Sequence, residues 1–262
     1  MSLAGKVVIV TGASSGIGAT TAEAFAKQGS KVVLTGRNEA NLKATEAACK
    51  AANSKVELLL IVADVTTDAE KIIKTTIDKF GQLDVLVNNA GFGEGGSILD
   101  INVDQFDRVM NTNLRSVFLL TKYAAPHLVK TQGNIVNVSS VAGLRANAGF
   151  SVYCTSKAAL DQFTRCIALD LASKNVRVNA VNPGLIVTKF YQGLGISEEV
   201  YAKYIEHSKT TNPLGRVGEP KEVADAIIFL ASDNSSFITG ATLPIDPAPE
   251  PRSRCPVCTY MF

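Results

Sequence analysis

Seven short, nearly continuous apolar runs, each followed by a longer stretch with helical spacing, leave this chain few architectures. The runs are Lys6–Thr11, Lys31–Thr35, Val56–Ala63, Asp84–Asn88, Asn134–Ser139, Arg177–Val181 and Ala241–Ile245. Several are rich in β-branched residues and lack polar alternation, as strands covered on both faces must be. The segments between them are long enough for crossover helices. This alternation predicts an α/β fold, a doubly wound parallel sheet with helices on both faces. Thr67 and Glu70 are spaced as a capping box for a helix running to about Phe80. Pro220 suits a first helical turn ahead of the stripe Val223, Ala226, Ile227 and Leu230.

At 262 residues the chain fits one α/β domain, expected over residues 1–246, with a Pro-rich irregular tail over 247–262. Apolar residues at 46% suffice for a large core, and charged residues at 19% are too few for a disordered chain. A net charge of +2 argues against nucleic-acid or acidic-membrane partners. The run Val7–Val10 is too short for a signal peptide or a membrane span, and the last three residues match no targeting tripeptide, so a cytoplasmic protein is expected. Five scattered cysteines do not read as a disulfide framework. Cys255 and Cys258 offer two thiolates where structural zinc needs four ligands, and neither His127 nor His207 is spaced with another ligand. No metal site is expected.

The first strand ends in Thr11-Gly12-Ala13-Ser14-Ser15-Gly16-Ile17-Gly18, with a helix to follow. Glycines here let the backbone turn sharply and approach a ligand, and a helix N-terminus attracts a dinucleotide's pyrophosphate. Gly12-x-Ser14-x-Gly16 also matches the nucleophile elbow of an α/β-hydrolase, which would use Ser14. That rival needs an acid and a late histidine, and His207 lies in the polar helical stretch Glu198–Lys209. At the end of strand two the chain reads Thr35-Gly36-Arg37-Asn38. No carboxylate stands there to bind ribose hydroxyls or repel a 2′-phosphate, and Arg37 can pair with one, so NADP(H) is expected over NAD(H). Glu39 is read as the start of the next helix.

Further segments carry a family resemblance. Asp64-Val65, Asn88-Asn89-Ala90-Gly91, Asn113-Leu114, Ser139-Ser140-Val141-Ala142-Gly143, Tyr153-Cys154-Thr155-Ser156-Lys157 and Pro183-Gly184 follow the glycine turn in order. In these marks the chain resembles the single-domain short-chain dehydrogenases/reductases from residue 4 to about 246. The resemblance implies a Rossmann-type sheet of about seven strands in the order 3-2-1-4-5-6-7. It also implies a catalytic set of Asn113, Ser140, Tyr153 and Lys157.

The chemistry accounts for these residue types. Hydride transfer to a carbonyl needs a proton for the developing alkoxide. Free tyrosine, with a pKa of about 10, needs help near neutrality, and a lysine one helical turn away stabilises its phenolate. The resemblance implies that Lys157 also binds the nicotinamide ribose and that Ser140, rather than Ser139, holds the substrate oxygen. Asn113 would anchor a water between Lys157 and solvent. The glycine-turn residues Gly12, Ser14, Ser15, Gly16, Ile17 and Gly18, with Arg37, Asn38, Asp64, Val65, Asn89, Ala90 and Gly91, would bind the nucleotide. Pro183, Gly184, Ile186 and Thr188 would hold the carboxamide.

In this family the segment after Thr188 covers the substrate. Phe190, Tyr191 and Ile196 are apolar, and Phe150 and Leu144 are further candidates, so a medium-sized, largely apolar ketone or aldehyde is expected. The resemblance implies a homotetramer or homodimer built on two long helices, roughly Asn113–Lys130 and Tyr153–Ser173. The alternative to an enzyme is a non-catalytic NADP(H)-binding sensor on the same fold. Retention of Asn113, Ser140, Tyr153 and Lys157 in one chain argues against it. The tail departs from the family, with Pro247-Ala248-Pro249 after Asp246 where two glycines are usual.

Overall fold

A computed structural model describes residues 3–190 and 197–247. Its centre is one sheet of seven strands, β1 (Val7–Thr11), β2 (Lys31–Gly36), β3 (Leu58–Val62), β4 (Val85–Asn88), β5 (Asn134–Val138), β6 (Arg177–Pro183) and β7 (Thr242–Ile245). All pairs are parallel, and the order is β3-β2-β1-β4-β5-β6-β7. Each strand falls on an expected run. β3 starts two residues late because Val56 closes a turn onto the Asn53 carbonyl.

Successive residues of β1 show why the runs lack polar alternation. Val8 and Val10 enter one core, and Val7 and Ile9 enter the other. The first core is closed by Ala22, Phe25 and Ala26 of α1 (Gly16–Lys27), Leu42 of α2 (Glu39–Ala52), and Val223, Ile227 and Leu230 of α8 (Pro220–Ala231). The second is closed by Ile72 and Ile73 of α3 (Ala69–Phe80), Leu120, Ala124 and Leu128 of α5 (Ser116–Thr131) and Ala168 of α6 (Ser151–Ala172). Full burial of a side chain such as Phe25 or Leu128 contributes about 1.5–3 kcal/mol.

Pro220 occupies the first turn of α8 as expected, and Glu222 reaches back to the Glu219 N–H. The start of α3 corrects the Thr67–Glu70 capping box. Asp68, not Thr67, precedes the helix, and the Asp68 carboxylate accepts the Asp64 N–H. A turn centred on Asp64, whose carboxylate accepts both Thr66 donors, takes Thr67 out of the helix. The expected helix from Asn113 is also modified. Asn111–Arg115 forms a π-helical turn between α4 (Val103–Met110) and α5, closed by the Ser116 N–H on the Asn111 carbonyl. α7 (Glu198–Thr211) lies over the C-terminal edge of the sheet.

Among the described residues no helix is long and apolar enough to cross a membrane, and no three His, Cys, Asp or Glu residues gather as metal ligands. Cys255 and Cys258 lie outside the described residues. The strands end along one edge. There the chain leaves β1 toward β2 on one side while β4 lies on the other, opening the crevice where doubly wound sheets bind ligands.

Candidate active site

Thr11 ends β1 and ties both sides of the crevice together. Its hydroxyl oxygen accepts the Asn89 and Ala90 N–H groups at 2.9 Å each and donates to the Val87 carbonyl. Asn89 Nδ2 donates to the Thr11 carbonyl at 2.8 Å. Between them the chain turns sharply, with Gly12 and Gly16 at φ of 65° and 54°, values that favour glycine. A Cβ on Gly18 would collide with the Gly12 carbonyl and with Asn89, so the first turn of α1 needs a glycine at its third residue to pack against the turn. The Ser15 side chain caps no N–H of α1, and the first turn holds no acidic residue. Its N–H groups and positive dipole therefore face the crevice as an anion cradle that fits a pyrophosphate.

At the end of β2, Arg37 is 80% exposed, with Nη1 3.7 Å from the Asp64 carboxylate. Partial burial raises the Asp64 carboxyl pKa, but the Thr66 donors and Arg37 outweigh it and hold the group below its ordinary value. The Asn38 side chain caps α2 by accepting the Asn41 N–H at 2.9 Å, and Asn38 does not line the crevice.

The other end of the crevice carries the titratable groups. Ser140 leaves β5 with its hydroxyl oxygen accepting the Ala142 N–H and donating to the Pro183 carbonyl at 3.4 Å. Its side chain also hydrogen-bonds Tyr153. Ser139 is buried and donates instead to the Lys157 carbonyl. Tyr153 and Lys157 stand one turn apart on α6, with Nζ 5.8 Å from the ring centroid. Burial pushes the Tyr153 phenol up to about 12, against the lowering effect of the Ser140 hydrogen bond. Burial pulls the Lys157 ammonium down to about 8, against the raising effect of Asp161. Lys157 Nζ donates to the Val138 carbonyl at 3.0 Å.

Asn113 is fully buried in the π turn. Its amide spans the Phe92 backbone, accepting the N–H at 3.0 Å and donating to the carbonyl at 2.8 Å, and also donates to Ser156. Both amide donors are thus committed. The Asn113 oxygen and Lys157 Nζ border the same glycine, since a Cβ on Gly91 would lie 3.1 Å from one and 3.4 Å from the other.

One cleft of about 1480 Å³ runs from Arg37 to Tyr153, above the roughly 300–1,000 Å³ of an ordinary small-molecule pocket. It gathers Gly12, Ser14, Ser15, Gly16 and Ile17 with Asp64, Val65, Asn89, Ala90 and Gly91. It also gathers Pro183, Gly184, Ile186 and Thr188, and the substrate candidates Phe150 and Phe190. The Phe190 ring lies 5.6 Å from that of Tyr153. Gly18 and Asn113 stand behind the lining as supports. Leu144, which follows the turn Val141–Gly143, is 47% exposed and does not line the cleft. Tyr191 and Ile196 lie outside the described residues. The sequence reading missed Arg145, Asp246 and the α7 row Tyr204, His207, Ser208 and Thr211. The i, i+3, i+4, i+7 spacing of that row was its available signal.

Comparisons with known proteins agree with this geometry. The family described as Enoyl-(Acyl carrier protein) reductase matches residues 12–247. The chain is 38% identical over 247 residues to a 3-oxoacyl-acyl-carrier-protein reductase of Thermotoga maritima, covering 94% of this chain and 98% of that protein. It is 39% identical to a meso-2,3-butanediol dehydrogenase of Serratia marcescens, covering 92% and 93%. A solved Caenorhabditis elegans short-chain dehydrogenase/reductase of unknown function, with cofactor, superposes at a TM-score of 0.87 with 39% identity, covering 94% and 95%. The chain belongs to the short-chain dehydrogenase/reductase family of oxidoreductases, which act on alcohol and carbonyl groups.

Proposed function

We propose that this protein transfers a hydride between NADP(H) and a carbonyl or secondary alcohol, reducing a medium-sized, largely apolar ketone or aldehyde with Tyr153 as the general acid. The observation that carries the reading is a single cleft with an uncapped glycine-lined helix start at one end and Ser140, Tyr153 and Lys157 at the other. Gly12, Gly16 and the start of α1 would hold the pyrophosphate, and Thr188, close against Gly16, would border the nicotinamide. The bound dinucleotide supplies or takes up the hydride.

The chain's own residues handle the proton. Burial keeps the Tyr153 phenol protonated well above neutrality, ready to donate to an alkoxide. Ser140, bonded to Tyr153, is placed to hold the same substrate oxygen. Lys157 lies beside the ring, and its ammonium eases loss of the phenolic proton. Asn113 fixes the Phe92 backbone next to Lys157 and keeps that corner rigid. Arg37, exposed at the rim with no carboxylate at its own turn, supports NADP(H). The edge-to-face pair of exposed Phe118 and half-buried Phe163, on α5 and α6, supports assembly through those helices. Family membership supports a nucleotide role for the glycine turn over the hydrolase reading of Ser14.

The test is cofactor-linked absorbance with a panel of neutral carbonyl compounds, NADPH against NADH, on wild type and Tyr153→Phe. Turnover preferring NADPH, with kcat reduced by about 10²–10⁴ in the variant, is expected. Tight NADPH binding without turnover of any carbonyl or alcohol would replace this reading with a sensor.

A further inference from the structure

We infer that the ion pair between Arg145 and Asp246 sets the charge selectivity of the substrate end of the cleft, favouring neutral carbonyl compounds over carboxylate-bearing ones. The inference rests on the reductase reading above and adds a substrate-selecting device to it.

Arg145 follows the turn Val141–Gly143 and lines the cleft five residues after Ser140. Asp246 follows β7 and reaches the same cleft from the far side. Nη2 of Arg145 donates to Oδ2 of Asp246, and the two side chains are only 19% and 7% exposed. The Asp246 carboxylate is wedged over Gly184, where a Cβ would fall upon it. The pair therefore joins the Ser140 loop, the Pro183-Gly184 segment and the end of β7 across 101 residues of sequence.

A guanidinium beside a substrate site would by itself favour a carboxylate, through its planar fork of donors. Here Asp246 is already paired with it. A carboxylate substrate must displace Asp246 and leave that charge uncompensated in a nearly buried position, which opposes its binding. A neutral ketone meets no such penalty. Lys157 also lines the cleft, but it is unchanged in every variant compared and so cancels from the ratio. Lys189 is exposed at the cleft rim and is the cation the test must separate from Arg145.

Asp246→Asn keeps the side-chain size over Gly184 and removes its charge. The probes are benzoylformate and its methyl ester, a carboxylate and a neutral ketone of similar shape. The quantity read is the ratio of kcat/KM for the anion to that for the ester. In Asp246→Asn the ratio should rise at least about tenfold, the scale of one charge-assisted contact, with the ester value within about threefold of wild type. In Arg145→Met, where Asp246 stands alone, the ratio should fall below wild type. The double variant should show no rise. An unchanged ratio in either single variant, or an equal rise in the double variant through Lys189, overturns the inference. Calorimetric affinities for both probes, measured with the oxidised cofactor, which has no hydride to give a ketone, yield the corresponding binding ratio without turnover. Absence of turnover in wild type then removes the reductase reading, while the affinity ratio still decides the role of the pair.

Discussion

Replacing Arg37 by alanine removes the one cation at the turn after β2, and the structure sets the size of the effect. Its side chain is 80% exposed, and its nearest partner, Asp64, is 3.7 Å away. A hydrogen bond to a charged group contributes about 1.5–3 kcal/mol. Exposure and the need to loosen the Asp64 contact place Arg37 at the lower end, about 1.5 kcal/mol, or a roughly tenfold change in Kd. NADPH should lose that factor. NADH, which lacks the 2′-phosphate, should change less than about twofold by the same reasoning. The chain contains no tryptophan, so calorimetry is the direct assay rather than energy transfer from the protein. Repeating the titrations at higher salt should shrink the NADPH-specific loss, because an exposed pair is screened. Equal losses for both cofactors, or a wild type that binds NADH more tightly, would refute the assignment of Arg37 to a phosphate.

Two predictions concern the buried parts of the site. Burial lowers the Lys157 ammonium from 10.5 to about 8. From pH 8 upward the unfolded chain therefore holds more protons at this position than the folded one, and stability rises with pH until the unfolded lysine titrates. The melting temperature of wild type minus that of Lys157→Met should thus climb between pH 7.5 and 9.5, and a flat or falling difference would count against the buried ammonium. In Gly18→Ala the new methyl group strikes the Gly12 carbonyl and Asn89. A loss of about 1–3 kcal/mol in chemical denaturation is expected, with cofactor affinity lost alongside, and an unaffected Kd would detach Gly18 from the cradle.

The strands were legible because burial on both faces writes a continuous apolar run, and the site was legible where residues sit at strand ends in fixed local motifs. What could not be read depends on partners distant in sequence. Asp246 meets Arg145 across 101 residues, and neither residue type announces the other. The π turn at Asn111–Arg115 adds a residue to one helical turn, a change too small for a periodic pattern to register. Thr67 resembled a cap, yet the Asp64 turn took it, a local competition between side chains that spacing alone does not resolve. The Asn38 oxygen caps α2, a local role that its place after β2 does not disclose.

The bond from Thr11 to Asn89 and Ala90 has a consequence in time. It joins residues 78 and 79 positions apart, and β1 and β4 pair in parallel over a similar span. Such non-local pairing forms slowly, since a long loop must close before any contact rewards it. The two sides of the glycine-turn crevice therefore meet only once the centre of the sheet is assembled. A dinucleotide can recognise the finished sheet but not its precursors, so it should slow unfolding while leaving the folding rate nearly unchanged.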